Sequence, residues 1–222
     1  MKILYALQGT GNGHLARAQK MLPILEEYRD LDVFVSGSNS QLQLENYQFK
    51  HHNGLSLFYN QMGKVSYKRI FKENSFKSFW NEVNHFPIEK YDLIINDFEP
   101  ITAHAARKKK INIVGLSHQA SLLFDETPKV KNKTGETILK YYAPTSKHYG
   151  FHFEEYNDAI FLPIIRDKIR ALHPKQKDYY LVYLPSFHPT EIMEKLSFIK
   201  DSKWKVFSPF VKEVMRQFNV EI

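Results

Sequence analysis

The chain opens on a pattern that leaves its backbone little choice. Residues 2–7 are almost all apolar, as a strand covered on both faces requires. Gln8-Gly9-Thr10-Gly11-Asn12-Gly13 follows, and then Leu15, Ala18, Leu22 and Leu25 recur at the spacing of one helix face. A second apolar run at residues 31–36 closes at Gly37-Ser38-Asn39. Strand, glycine turn, helix and strand in immediate succession make a right-handed parallel crossover, the opening unit of an α/β domain.

The alternation continues. Residues 49–59 read as one or two short strands broken at Asn53-Gly54, and residues 66–86 as a helix or helix pair. Residues 91–96 form a buried strand that runs into Asp97-Phe98-Glu99-Pro100, where the proline starts a helix over 101–109. Residues 111–116 make the next strand, ending at Ser117-His118-Gln119. A polar loop over 129–137, a tyrosine-rich helix near 138–149 and a strand over 159–165 complete a Rossmann-like parallel sheet domain, residues 1–165, with helices on both faces. The charged, proline-bearing stretch 166–178 reads as a linker. Strands at 179–184 and 205–207, a helix at 190–199 and a last helix at 209–218 open a second domain over 179–222. Two strands cannot bury both faces of a parallel sheet, so this domain is expected to be the truncated beginning of a larger one.

The 222 residues include no cysteine, which removes disulfides, thiolate metal sites and cysteine nucleophiles. With no signal peptide or membrane span legible, a cytoplasmic location is expected. The formal charge of +7 favours acidic partners. The one compact basic run, Arg107-Lys108-Lys109-Lys110, falls where a helix ends and reads as a solvated terminus. No nucleic-acid module is recognisable. Of ten histidines, His51 and His52 would point to opposite faces of a strand, and His148 and His152, at i, i+4, have Gly150 between them and no glutamate base, so no metal is expected.

The glycine turn lets backbone approach a ligand closely, and the amides of Gly11, Asn12 and Gly13 at a helix N-terminus suit an anion. It is not a dinucleotide fingerprint, because the third glycine position is His14, and it lacks the lysine of a phosphate-binding P-loop. At the positive end of a helix dipole a neutral imidazole is favoured, and a neutral imidazole suits abstraction of a hydroxyl proton. By their place at strand ends, Ser117, His118 and Gln119 line the same edge. Ser186 and His188 hold the equivalent position in the second domain.

Gly9-Thr10-Gly11-Asn12-Gly13-His14-Leu15-Ala16-Arg17-Ala18 resembles the first loop of GT-B glycosyltransferases, particularly the MurG-like group within the family 28 and UDP-glycosyltransferase relatives. Residues 91–100, ending Asn96-Asp97-Phe98-Glu99-Pro100, resemble the strand on which many inverting members carry an aspartate. The resemblance implies a GT-B fold and an inverting transfer of sugar from a nucleotide-sugar, UDP-linked, to an acceptor hydroxyl. It assigns His14 as base and Asp97 as its orienting partner, with Glu99 as a fallback, and needs no bound cofactor. It implies a sugar or lipid-linked acceptor; Lys64, Lys68, Arg69, Lys72 and Lys77, interleaved with Tyr67, Phe71, Phe76, Phe79 and Trp80, read either as a core helix with a solvated basic face or as contact with a membrane surface. In such enzymes the second domain holds most of the donor site, so these residues alone are expected to be inactive. A GT-B-type sugar-nucleotide epimerase and a non-catalytic subunit of a split transferase are the alternatives.

Overall fold

A computed structural model of the chain describes residues 1–28, 30–37, 44, 47, 49, 51–58, 66–185 and 187–222. They form two compact units: Met1–Ser56 with Lys72–Ala171, and Leu57–Phe71 with Leu172–Ile222. The first unit carries β1 (Ile3–Gln8), α1 (Asn12–Glu26), β2 (Leu31–Ser36) and β3 (His51–His52). The helix α2 (Tyr67–Glu73) runs from one unit into the other. The first unit continues through α3 (Phe76–His85), β4 (Leu93–Asp97), α4 (Pro100–Lys109), β5 (Val114–Ser117) and α5 (His118–Ser121). It closes with α6 (Lys133–Tyr141), β6 (Lys147–Phe151), β7 (Ile160–Phe161) and α7 (Asp167–Arg170).

The seven strands lie in the order β3-β2-β1-β4-β5-β6-β7, and every pair is parallel. Alternation along β1 explains the two-sided covering. Leu4 and Ala6 pack with Phe79 and Val83 of α3 and Ile101 and Ala105 of α4. Ile3, Tyr5 and Leu7 pack on the other face with Leu15, Ala18 and Leu22 of α1. Leu15 and Leu22 are wholly buried, and each such side chain contributes about 1.5–3 kcal/mol. Because the chain winds from β1 outward to β2 and then returns to β4 on β1's other side, the crevice at the carboxyl ends of β1 and β4 is the topological switch point, where open α/β sheets place their ligands.

The turn from β4 into α4 is built to be rigid. Phe98 adopts a left-handed conformation, φ 58°, which a bulky residue holds only when its surroundings insist. Here the Asn96 side chain spans it, donating to the Glu99 carbonyl at 2.8 Å and accepting from the Glu99 amide at 3.0 Å. Glu99, fully buried, caps α4 by accepting from the Ile101 and Thr102 amides, both at 2.7 Å, and from the hydroxyls of Thr102 and Ser36. The basic run closes α4, with Lys110 as its left-handed C-cap.

The second unit has β8 (Tyr180–Tyr183), α8 (Pro189–Ser197), β9 (Trp204–Phe207), β10 (Arg216–Gln217) and β11 (Val220–Glu221). They form a four-stranded sheet ordered β10-β11-β9-β8 over a small core of Ile192, Met193, Val206 and Val220.

Several expectations need correcting. The helix expected at 209–218 is absent; β10 lies at the end of that span and pairs as a tight antiparallel hairpin with β11 beyond it. Phe218 turns at φ 53°, and Glu221 ties the hairpin to Arg216 at 2.7 Å and to Lys205 of β9 at 2.8 Å. The second sheet therefore has four strands rather than two. The expected helix at 138–149 begins earlier, because Asn132 caps α6 through the Gly135 amide at 3.1 Å, and ends at Tyr141. Pro144 lies beyond that end, and residues 147–151 form β6. The strands expected over 49–59 and 159–165 shrink, among the described residues, to two-residue β3 and β7.

Glu99→Ala removes an interior cap and leaves the Ser36 and Thr102 hydroxyls without their acceptor. A loss on the order of 2–4 kcal/mol in chemical denaturation is expected. Glu99→Gln is expected to be destabilised as well, because each Glu99 oxygen accepts from a backbone amide and one of them becomes an NH2 donor.

Candidate active site

Gly11 is the N-cap of α1, and its φ of 86° is a conformation that glycine alone holds without strain. It starts the helix early enough to place His14 in the first turn, directly behind the β1 edge. No side chain caps α1, and no acidic residue sits in its first turn. Gly13 has ordinary helical geometry, and a β-carbon added there would meet no atom within 4 Å, so the space beside it is open.

Opposite, at the end of β4, Asp97 is fully buried. The pairing of β1 with β4 sets Leu7 beside Asp97 and so brings the two ends together. His14 Nδ1 lies 2.8 Å from Asp97 Oδ1. A carboxylate only accepts, so Nδ1 carries a proton, and in the neutral ring Nε2 is then the nitrogen with the lone pair. Gln119 Nε2 stands 3.5 Å from that Nε2, and Gln119 Oε1 is buried without a partner among the described residues.

The carboxylate has two more partners. Arg17, one helical turn beyond His14, donates from Nε to Oδ2 at 2.9 Å and from Nη2 to Oδ1 and Oδ2 at 2.5 and 2.7 Å. Tyr5 donates its hydroxyl to Oδ2 at 3.2 Å. Burial works against the Asp97 charge, but Arg17 and His14 outweigh it and hold the carboxyl down at about 2. Burial and the adjacent Asp97 both push the Tyr5 phenol well up, so it stays a donor. The Arg17 guanidinium also lies over the Phe151 ring, 5.4 Å from its centroid.

The other expected residues divide. Gln119 joins His14. His118, partly open to solvent, has Nδ1 2.9 Å from the Phe151 carbonyl, which places its proton there, and desolvation, then Arg17, pushes it toward the neutral form. Ser117 is committed to capping α5, accepting from the Ala120 amide at 2.9 Å. Glu99 is enclosed by its cap and faces no cleft. In the second unit His188 precedes α8, with Nδ1 2.7 Å from Thr190 Oγ1 and its ring stacked on Phe210. Ser186 and Lys64 lie outside the described residues. Among the described residues no group of three or more His, Cys, Asp or Glu side chains is placed to hold a metal ion, and no helix is long and apolar enough to cross a membrane.

Arg17 and Tyr5 were not singled out by sequence reasoning. Arg17 carried a usable signal, since a residue three positions after His14 shares its helix face. Tyr5 carried none, because a tyrosine within an apolar run reads as core.

A family model described as glycosyl transferase family 1 matches residues 1–210. The chain belongs to this family. No curated protein sequence matches it. Among solved structures, the crystal structure of MurG from Acinetobacter baumannii is similar, at 12% identity and a TM-score of 0.44, over 94% of this chain and 58% of that one. The chain thus spans a little over half the length of that MurG.

In this family 1 chain the depressed Asp97 carboxyl has a direct consequence for stability. Its folded-state value, about 2 against an ordinary 3.8, means the native state favours the ionised form. The stabilisation is complete above the unfolded value and is lost as pH falls through the folded one. Between pH 5 and pH 2 the wild type is expected to lose on the order of 2 kcal/mol by urea denaturation that Asp97→Asn does not lose.

Proposed function

We propose that the protein is an inverting glycosyltransferase in which His14 Nε2 takes the proton of an acceptor hydroxyl. The acceptor oxygen then attacks the anomeric carbon of a nucleotide-sugar, the bond from that carbon to the diphosphate breaks, and the sugar inverts. Asp97 orients the imidazole and stabilises the imidazolium through Nδ1. The observation that carries this reading is the 2.8 Å contact between His14 Nδ1 and a buried, ionised Asp97 at the switch point of the sheet. Membership of glycosyl transferase family 1 supports it.

The open space beside Gly13 suits the acceptor or the diphosphate, and the α1 dipole favours the charge that develops on the leaving group. We assign the donor, UDP-linked, to contacts that include His188 and Ser186. A lipid-linked acceptor suits the exposed aromatic residues Phe76 and Trp80 beside Lys77 in α3 of the first unit.

In a full-length form that carries a complete donor domain, with nucleotide-sugar and acceptor supplied, His14→Ala is expected to lower kcat at least 100-fold. Near-normal turnover would remove His14 from the chemistry. Acceptor-dependent release of nucleoside diphosphate separates transfer from epimerisation, which needs no acceptor. Gly13→Ala is expected to keep the native fold, by circular dichroism and thermal melting, while raising KM several-fold. On vesicles, sedimentation with phosphatidylglycerol that weakens in salt and in Phe76→Ser/Trp80→Ser is expected; equal binding to neutral vesicles argues against the membrane contact.

A further inference from the structure

A buried carboxylate facing a histidine alone is a strong trap for a proton. The carboxylate's charge favours the imidazolium, which carries hydrogen on both nitrogens and is no base. The chain places a third group in the contact. Arg17 Nη2 sits 2.5 Å from Asp97 Oδ1, the oxygen that also faces His14 Nδ1, and only 3.1 Å from Nδ1 itself. One carboxylate oxygen therefore serves two nitrogens, and one of them belongs to a group that cannot give up its charge.

We infer that Arg17 is the positioning residue that keeps His14 neutral, with its proton on Nδ1 and its lone pair on Nε2, by satisfying the Asp97 charge in advance. The inference rests on the reading of His14 as the base. Arg17 and Asp97 already sum to zero charge, so a proton taken up by His14 makes the buried cluster net positive beside a fixed guanidinium. That opposes protonation before the reaction and favours return of the proton afterwards. Arg17 is fitted for this by its setting. It is 5% exposed, grips Asp97 through both Nε and Nη2, and is backed by the Phe151 ring. The other groups facing the cluster leave this balance intact. From β1, Tyr5 supplies a neutral hydroxyl to Oδ2; from α5, His118 is pushed toward its neutral form and Gln119 bears no charge.

Nitrogen-15 NMR of the histidine side chains in the 222-residue chain tests this, with His14→Gln to assign the signal. Wild type is expected to show the neutral Nδ1–H tautomer of His14 at pH 7. In Arg17→Met, which keeps length and removes charge, the His14 midpoint is expected to rise by one unit or more. Arg17→Lys, charged but without the fork, is expected to raise it less. In the transferase assay the acid limb of kcat/KM moves the same way, a change that loss of packing alone does not produce. An unchanged His14 midpoint in folded Arg17→Met overturns the inference. So does an Nε2–H tautomer in wild type, a measurement that requires no variant to fold. The titration reads Arg17 whether or not His14→Ala abolishes transfer, so failure here and failure of the transferase reading are told apart.

Discussion

The organisation of the candidate site turns on one carboxylate that water does not reach. Asp97 is fully buried at the end of β4, and an unpaired charge there would be prohibitive. Its oxygens are met by a guanidinium, an imidazole and a phenol, drawn from α1 and β1. Breaking such a buried pair by removing one partner typically costs about 3–5 kcal/mol. The pair therefore does two things at once: it fastens the first helix to the fourth strand, and it fixes which nitrogen of His14 is available.

The elements legible in the sequence are those whose pattern is local. β1, the glycine turn and α1 follow from an apolar run, from glycines and from one helical face, and the structure adds little to them. Asp97 and His14 were also legible, the first as the end of a buried strand and the second as the residue in a fingerprint's glycine position. Glu99 was open to misreading. Beside Asp97 in the sequence it looks like another acid for the site, yet Pro100 after it and Thr102 beyond it mark an N-cap, and capping encloses its carboxylate. The hairpin at the chain's last residues was not legible, because its strands are two residues each and are held by the pairings of Glu221 with Arg216 and Lys205. The Arg17 contacts lay between these cases: the helical spacing was visible, but the partner eighty residues away was not.

Membership of glycosyl transferase family 1 and the internal geometry bear on different questions. The first names the class of chemistry. The second shows how a histidine near the start of the chain, an aspartate near its middle and an arginine one helical turn on come into direct contact.

The alignment of Leu7 with Asp97 in the β1–β4 pair has a consequence for how this chain tolerates change. His14 and Asp97 are 83 residues apart in sequence, yet the pairing of β1 with β4 and one tight turn at each end bring them together. The intervening chain, β2, β3, α2 and α3 with the connections between them, closes a loop that begins and ends at the same sheet. Lengthening or rewriting those connections leaves the register of β1 with β4 where it is. Within that segment Arg17, Ser36, Phe79 and Val83 are held by the site and the core, so change is tolerated at its exposed positions, where it leaves the contact of His14 with Asp97 in place.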